Sequence, residues 1–219
     1  MKRIIPILIL TLSTLLMLNA CAPRVPEPWQ SALAQFNGEA QTCEVLLVAY
    51  EGGSNATVRF YERASSSNWK LLGETDALVG KNGIGKTREG DAMTPEGTFK
   101  VTGAFGVLPD PGTALPYTNV TSSIFACDEE GPWYNKIIDT AATHHSCKGE
   151  DMFHTVPEYN YGLELDYNPG CVYPLGSAIF FHCKGAKAWT GGCIAVDEAF
   201  MMEILIKAKP GLSVCIFRR

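Results

Sequence analysis

Only one stretch of this chain repeats its apolar residues at a helical period, so a mostly helical fold is excluded at the outset. Phe200, Met201, Ile204, Leu205 and Ala208 form a single stripe, the spacing of one buried helix face. Asp197 suits the N-cap of that helix and Pro210-Gly211 its end. Everywhere else the apolar residues run continuously or alternate. Cys43 to Tyr50 (CEVLLVAY) reads as a buried strand. The turn residues Gly52-Gly53-Ser54-Asn55 follow, then an alternating run from Ala56 to Glu62, so the two runs predict a hairpin. Trp69 to Gly73, Gly97 to Gly103, Ser177 to Cys183 and Leu212 to Phe217 read as further strands. Residues 29–40 are mixed and allow a short helix, and residues 104–176, rich in Gly, Pro, Asn and Asp, read mostly as loops. The expectation is a mainly β fold: a β-sandwich or barrel-like core, one helix near the C-terminus and long loops.

The length of 219 residues supports one domain with a sizeable core, and 46% hydrophobic against 19% charged residues excludes a disordered chain. The net charge is −5 with no Lys/Arg cluster, which argues against a nucleic-acid partner. There is no internal repeat and no low-complexity tract.

The N-terminus reads as an address. Lys2 and Arg3 precede an apolar run, Ile4 to Leu18, of 15 residues. That is short of the roughly 20 needed to span a bilayer and fits a cleaved secretory signal. Leu18-Asn19-Ala20-Cys21 resembles the lipobox of bacterial lipoproteins, in which the Cys becomes the lipid-bearing N-terminus. An ordinary signal peptide followed by chance by a Cys is the alternative. The resemblance implies a signal peptide at 1–20, lipidation at Cys21, membrane attachment without a spanning helix, and a place in the cell envelope. Ala22 in place of Asp favours the outer membrane if the cell is Gram-negative. Removing residues 1–20 leaves 16 basic and 23 acidic side chains, a net of −7. Pro23, Pro26 and Pro28 make residues 21–40 an expected lipid-anchored tether, with the domain proper at 41–219.

The chemistry concentrates near the C-terminus. His182 sits near the end of an expected strand, and Thr190-Gly191-Gly192-Cys193 follows shortly after. Paired glycines let the backbone turn sharply beside a ligand. A Cys on such a turn with a His from a neighbouring strand suits nucleophilic catalysis, the His taking the thiol proton. In an exported protein, however, most cysteines are disulfide partners and strand histidines are often simply packed. From the pattern alone both readings stand.

These residues resemble the signature of the YkuD-type L,D-transpeptidases, a strand His, a variable loop, then a Ser/Thr-x-Gly-Cys turn. A second block matches in the expected order: Gly83 to Asp91 (GIGKTREGD), then Thr94-Pro95-Glu96-Gly97-Thr98-Phe99. The resemblance spans roughly residues 41–217. It implies a β-rich catalytic domain in which Cys193 attacks the carbonyl after the third residue of a peptidoglycan stem tetrapeptide, expelling D-Ala. A second stem's amine or water then resolves the thioester. It makes His182 the general base, the Gly192 and Cys193 N–H groups the oxyanion hole, and Thr190 and Gly191 the shapers of the turn. The third member of the triad, often a backbone carbonyl, cannot be placed. No cofactor or metal is implied. Two departures stand out: Gly191 where the commonest version has a second His, and Ala195 where it has an Arg.

Besides Cys21 and Cys193 there are Cys43, Cys127, Cys147, Cys171, Cys183 and Cys215, an even number that disulfides would explain. Cys43 with Cys215, on the first and last strands, and Cys127 with Cys147 are the expected bridges. Cys183 follows His182 directly, faces the other side of a strand and is not the expected nucleophile. His144, His145, Cys147 and His154 suggest a metal cluster only superficially, because adjacent histidines rarely chelate one ion; a polar loop, able to cap the groove, is the plainer reading. Gly83-Ile84-Gly85-Lys86-Thr87 evokes a phosphate loop but has Lys81 where that motif needs Gly. Trp189, Trp133 and Tyr134 fit the wall of a substrate groove and fit core positions equally well.

Transfer to water, giving an L,D-carboxypeptidase or a hydrolase releasing wall-linked protein, would use the same residues. A non-catalytic wall-binding lipoprotein is the rival of another class, and it gives no reason for His182 and Cys193.

Overall fold

Strand β1 (Glu44–Gly52) is buried at six successive residues, so both of its faces must be covered. The computed structural model, which describes residues 27–219 except Lys148, shows how. Leu46 and Val48 point into the main core with Val58, Phe60, Met201, Ile204 and Leu205. Val45, Leu47 and Ala49 point the other way, onto a second cluster with Trp29, Leu33, Phe36, Tyr61 and Trp69. Trp29 and Leu33 belong to helix α1 (Trp29–Ala34). This corrects the tether expected at 21–40, because its later part is domain: burying Trp29 and Phe36 costs less than leaving them in water. The signal segment 1–20 and the lipidation site Cys21 lie outside the described residues.

Strands β2 (Asn55–Ser65) and β3 (Asn68–Leu78) continue from β1 as a meander. Strand β4 (Gly97–Gly106) follows, with the short β5 (Tyr117–Asn119) beside it. The stretch expected to be loops holds a small sheet of β6 (Ile124–Cys127), β7 (Lys136–Asp139) and β8 (Glu150–Asp151), with a four-residue helix, α2 (Thr140–Thr143). The chain then forms β9 (Gly162–Leu165), β10 (Phe180–Cys183), β11 (Ile194–Val196), helix α3 (Glu198–Lys207) and β12 (Ser213–Arg218).

The main sheet runs β12-β1-β2-β3-β11-β10-β9-β4-β5, and β12 also pairs with β4, so eight of its strands close on themselves. The β-rich core expected from the sequence is thus one closed sheet. Helix α3 contributes Met201, Ile204 and Leu205 to its core, as the stripe predicts. Asp197 holds the N-cap position but makes no capping hydrogen bond; its carboxylate pairs with Lys184 at 3.2 Å.

The disulfide expectations divide. Cys127 and Cys147 are bridged, tying β6 to the approach to β8. Cys43 and Cys215 are free, which corrects the other pairing. Their strands are neighbours, but the parallel register sets Cys215 opposite Leu47. That leaves Cys43 four residues along, roughly 13 Å away at the rise of a strand. Cys171 and Cys183 are free as well, so among the six described cysteines other than Cys193 two are bridged and four are free.

Candidate active site

The two strands that carry the predicted pair are short and adjacent. β10 and β11 are parallel, with His182 opposite Ala195, two residues after Cys193. β9 flanks β10 on its other side, and β3 flanks β11. Ladder hydrogen bonds therefore set the spacing between the His strand and the Cys turn.

The turn is held from within and from the second sequence block. The Thr190 hydroxyl donates to the Cys193 carbonyl at 2.6 Å and accepts from the Gly192 N–H at 3.2 Å. Thr94, fully buried, donates to the same carbonyl at 3.2 Å and accepts the Gly80 N–H at 2.8 Å. The Thr94-Pro95 block is thereby fastened to the Cys turn. Gly192 has φ +149°, and a Cβ there would lie 2.9 Å from the Met93 carbonyl, so glycine is required twice over. The Gly192 N–H, expected in the oxyanion hole, is engaged by Thr190 in this state.

The Cys193 sulfur sits between two backbone groups. It accepts from the Phe180 N–H at 3.3 Å and donates to the Ala178 carbonyl at 3.2 Å. Ala178 has φ +51°, a strained conformation for a residue with a Cβ. Its N–H is held by the Asn135 side chain at 3.0 Å, and Asn135 itself is anchored on the Tyr167 and Asn168 carbonyls. The Asn135 amide thus fixes the carbonyl that receives the thiol proton.

His182 Nδ1 lies 2.7 Å from the carbonyl of Cys183. A carbonyl only accepts, so Nδ1 carries the proton and Nε2 keeps its lone pair. The orienting carbonyl that the sequence left unplaced is thus next to His182 itself. Tyr159 packs edge-on against the imidazole at 5.4 Å between ring centres. Burial holds His182 below its ordinary pKa, against the opposing pull of that hydrogen bond. Burial, with the Glu150 charge adding to it, pushes the Cys193 thiol up to about 12. Both shifts favour the neutral forms, thiol and imidazole.

His182 and Cys193 open onto one cavity of about 200 Å³ that also includes Thr190, Gly191, Gly192 and Ala195. Trp189 lines it, its ring covered by the ammonium groups of Lys81 and Lys187 at 5.2 and 4.9 Å. Trp133 and Tyr134 do not, which corrects that part of the groove reading. Tyr134 is buried, its hydroxyl 2.6 Å from Glu89 and 2.8 Å from the Gly176 N–H. Trp133 packs near the Cys127–Cys147 bridge and against His145. Glu150, from the loop of His144 to His154, lines the cavity, and so do Asp128 and Thr155. His145 faces Glu129, His154 faces Asp151, and Cys147 is in the disulfide. Cys183 points away, toward the Tyr161 carbonyl.

Sequence reasoning missed Asn135, Ala178 and Tyr159, and quoted Thr94 without a role. The groups that clamp Cys193 are mostly backbone, and backbone groups leave no signature in side-chain types.

Solved structures that the chain matches include the helical cell shape determining protein Pgp2 of Campylobacter jejuni, 14% identical with a TM-score of 0.43. That match covers 87% of this chain and 55% of the other. A mutant L,D-transpeptidase of Enterococcus faecium is also 14% identical, with a TM-score of 0.38, over 80% of this chain and 49% of that one. The chain thus spans about half the length of these proteins. No curated protein matches it. The family model for the YkuD L,D-transpeptidase catalytic domain matches residues 45–216, most of the chain, and the chain belongs to that family.

Proposed function

We propose that this protein is a cysteine L,D-transpeptidase acting on peptidoglycan stem tetrapeptides. The observation that carries the reading is the pairing of a clamped Cys193 thiol with a His182 whose Nδ1 is fixed on the Cys183 carbonyl, both on one cavity. His182 Nε2 takes the thiol proton as sulfur attacks the carbonyl of the third stem residue, and the C–S bond forms as the carbonyl electrons move to oxygen. The oxyanion then collapses and the C–N bond to D-Ala breaks. The imidazolium returns its proton to the leaving amine. A second stem's amine attacks the resulting thioester, and the same imidazole relays its proton.

We further propose that residues 1–20 are removed on export and that a lipid on Cys21 holds the domain at the periplasmic face of a membrane. Peptidoglycan lies within reach of such an anchor.

Incubation of a soluble chain beginning after Cys21 with purified tetrapeptide muropeptides, followed by mass spectrometry, tests the reading, with Cys193→Ala as control. Crosslinked dimers are the expected product. Tripeptides alone would make water the acceptor and the protein an L,D-carboxypeptidase. Absence of both, with no acyl adduct on Cys193, would leave a wall-binding lipoprotein.

A further inference from the structure

Ala195, two residues after Cys193 and on the same cavity, offers no positive charge. The Gly192 N–H is meanwhile held by Thr190. Neither group is available to meet negative charge on a substrate oxygen in this geometry. The cavity wall holds two ammonium groups, Lys86 and Lys187. Lys187 is exposed and lies over Trp189 at the rim. Lys86 is different: its side chain is 2% exposed and still borders the cavity.

Glycines make its place. A Cβ on Gly192 would fall 3.7 Å from the Lys86 ammonium, and one on Gly176 would fall 2.3 Å from Lys86 Cε. The ammonium therefore lies within contact distance of the Cys193 turn, and the absence of a side chain at residue 176 leaves room for it. It is fixed at 3.0 Å from Asp91. Asp91 also accepts the N–H groups of Thr87, Arg88 and Met93 and does not line the cavity. Its charge is spread over those donors. The remaining charges on the wall, Glu89, Asp128, Glu150 and Glu158, are carboxylates and oppose an oxyanion. Glu89 is turned to the Tyr134 and Ser177 hydroxyls.

We propose that Lys86 is a catalytic residue whose ammonium faces the substrate carbonyl oxygen and stabilises the oxyanion formed when Cys193 attacks. This rests on the reading of Cys193 as nucleophile. Lys86 donates no proton: the electron pair moves from the carbonyl bond to oxygen, is held there by the nearby positive charge, and returns when the leaving group departs. In the resting protein the same charge draws the Cys193 thiol down, against burial and Glu150.

The test compares two reactions of Cys193 in the native protein, Lys86→Gln and Lys86→Met. Acylation by p-nitrophenyl acetate passes through an oxyanion; alkylation by iodoacetamide does not. Both are read by mass spectrometry of the Cys193 peptide, with circular dichroism to establish folding; Gln keeps a donor for Asp91, so one variant is expected to fold even if Met is not tolerated. The expected result is a fall in the acylation-to-alkylation ratio of about tenfold or more. Equal losses in both reactions, as a structural or purely thiol-activating lysine would give, overturn the proposal, and so does an unchanged ratio. A native protein that shows the ratio effect but leaves tetrapeptides intact would fault the function reading and leave the role of Lys86 standing.

Discussion

The two sides of the closed sheet are built by different rules. Around β1, β2 and β12 the strands are six to eleven residues long and the pairing runs nearly unbroken. Apolar side chains cover both faces, with the α1 cluster outside and the main core inside. Around β10 and β11 the strands are four and three residues long. The segments that lead into them have positive φ at Ala178 and Gly192 and are fastened by hydroxyls and an amide. The first side is held by area, the second by particular hydrogen bonds. A protein can thus keep a strained, polar site because a separate region supplies the stability.

The comparison is broken most completely at the sulfur. Cys193→Ala should abolish the acyl adduct seen by mass spectrometry, while the thermal midpoint stays close to that of the native protein. His182→Gln should lower the acylation rate by about 10²–10⁴-fold, read by stopped-flow, again with little change in stability. A large stability loss from either change would mean that the site also bears the fold. On the opposite side, Trp29→Ala should cost about 3–5 kcal/mol in urea unfolding and leave the acylation rate of the folded fraction unchanged. Replacing both Cys127 and Cys147 with Ser opens a loop closed at a separation of 20 residues, with an expected cost of about 3 kcal/mol. That loss should register first as faster hydrogen exchange in β6 to β8, because those strands form their own sheet.

The smallest effect concerns Asp91. Burial alone would raise its pKa, but the Thr87 and Arg88 N–H groups, the Lys86 ammonium and the Met93 N–H more than offset this and hold it at about 2. A depressed carboxyl contributes stability above its ordinary pKa of 3.8 and loses that contribution as pH falls through about 2. Asp91→Asn should therefore be less stable than the native protein at pH 6, and the gap should close between pH 4 and 2.

The first side was legible in the sequence, the second in part. Continuous or alternating runs such as Cys43 to Tyr50 and Ala56 to Glu62 announce strands because packing on one or two faces selects residue types at every position. The stripe from Phe200 to Ala208 announced α3 for the same reason. The sheet of β6, β7 and β8 was not legible, since two to four residues carry too few alternations to show a period. The sequence suggested His182 and Cys193 because nucleophilic chemistry calls for those side-chain types. It gave no hint that the Cys183 carbonyl orients His182 or that the Ala178 carbonyl meets the thiol. The pairing of Cys43 with Cys215 failed on register, which neighbouring strands alone do not determine.

The placement of β12 has a consequence in time. The last strand lies between β1 and β4, so the sheet cannot close until residues 213–218 are available. A chain emerging from its N-terminus can pair β1 with β2 early, but closure between the ends of the domain waits for the whole length and carries the entropy of that long loop. The Cys turn precedes this strand, so its lasting assembly is tied to the arrival of residues 213–218. Cys193 keeps its clamp only in a sheet that these residues have closed.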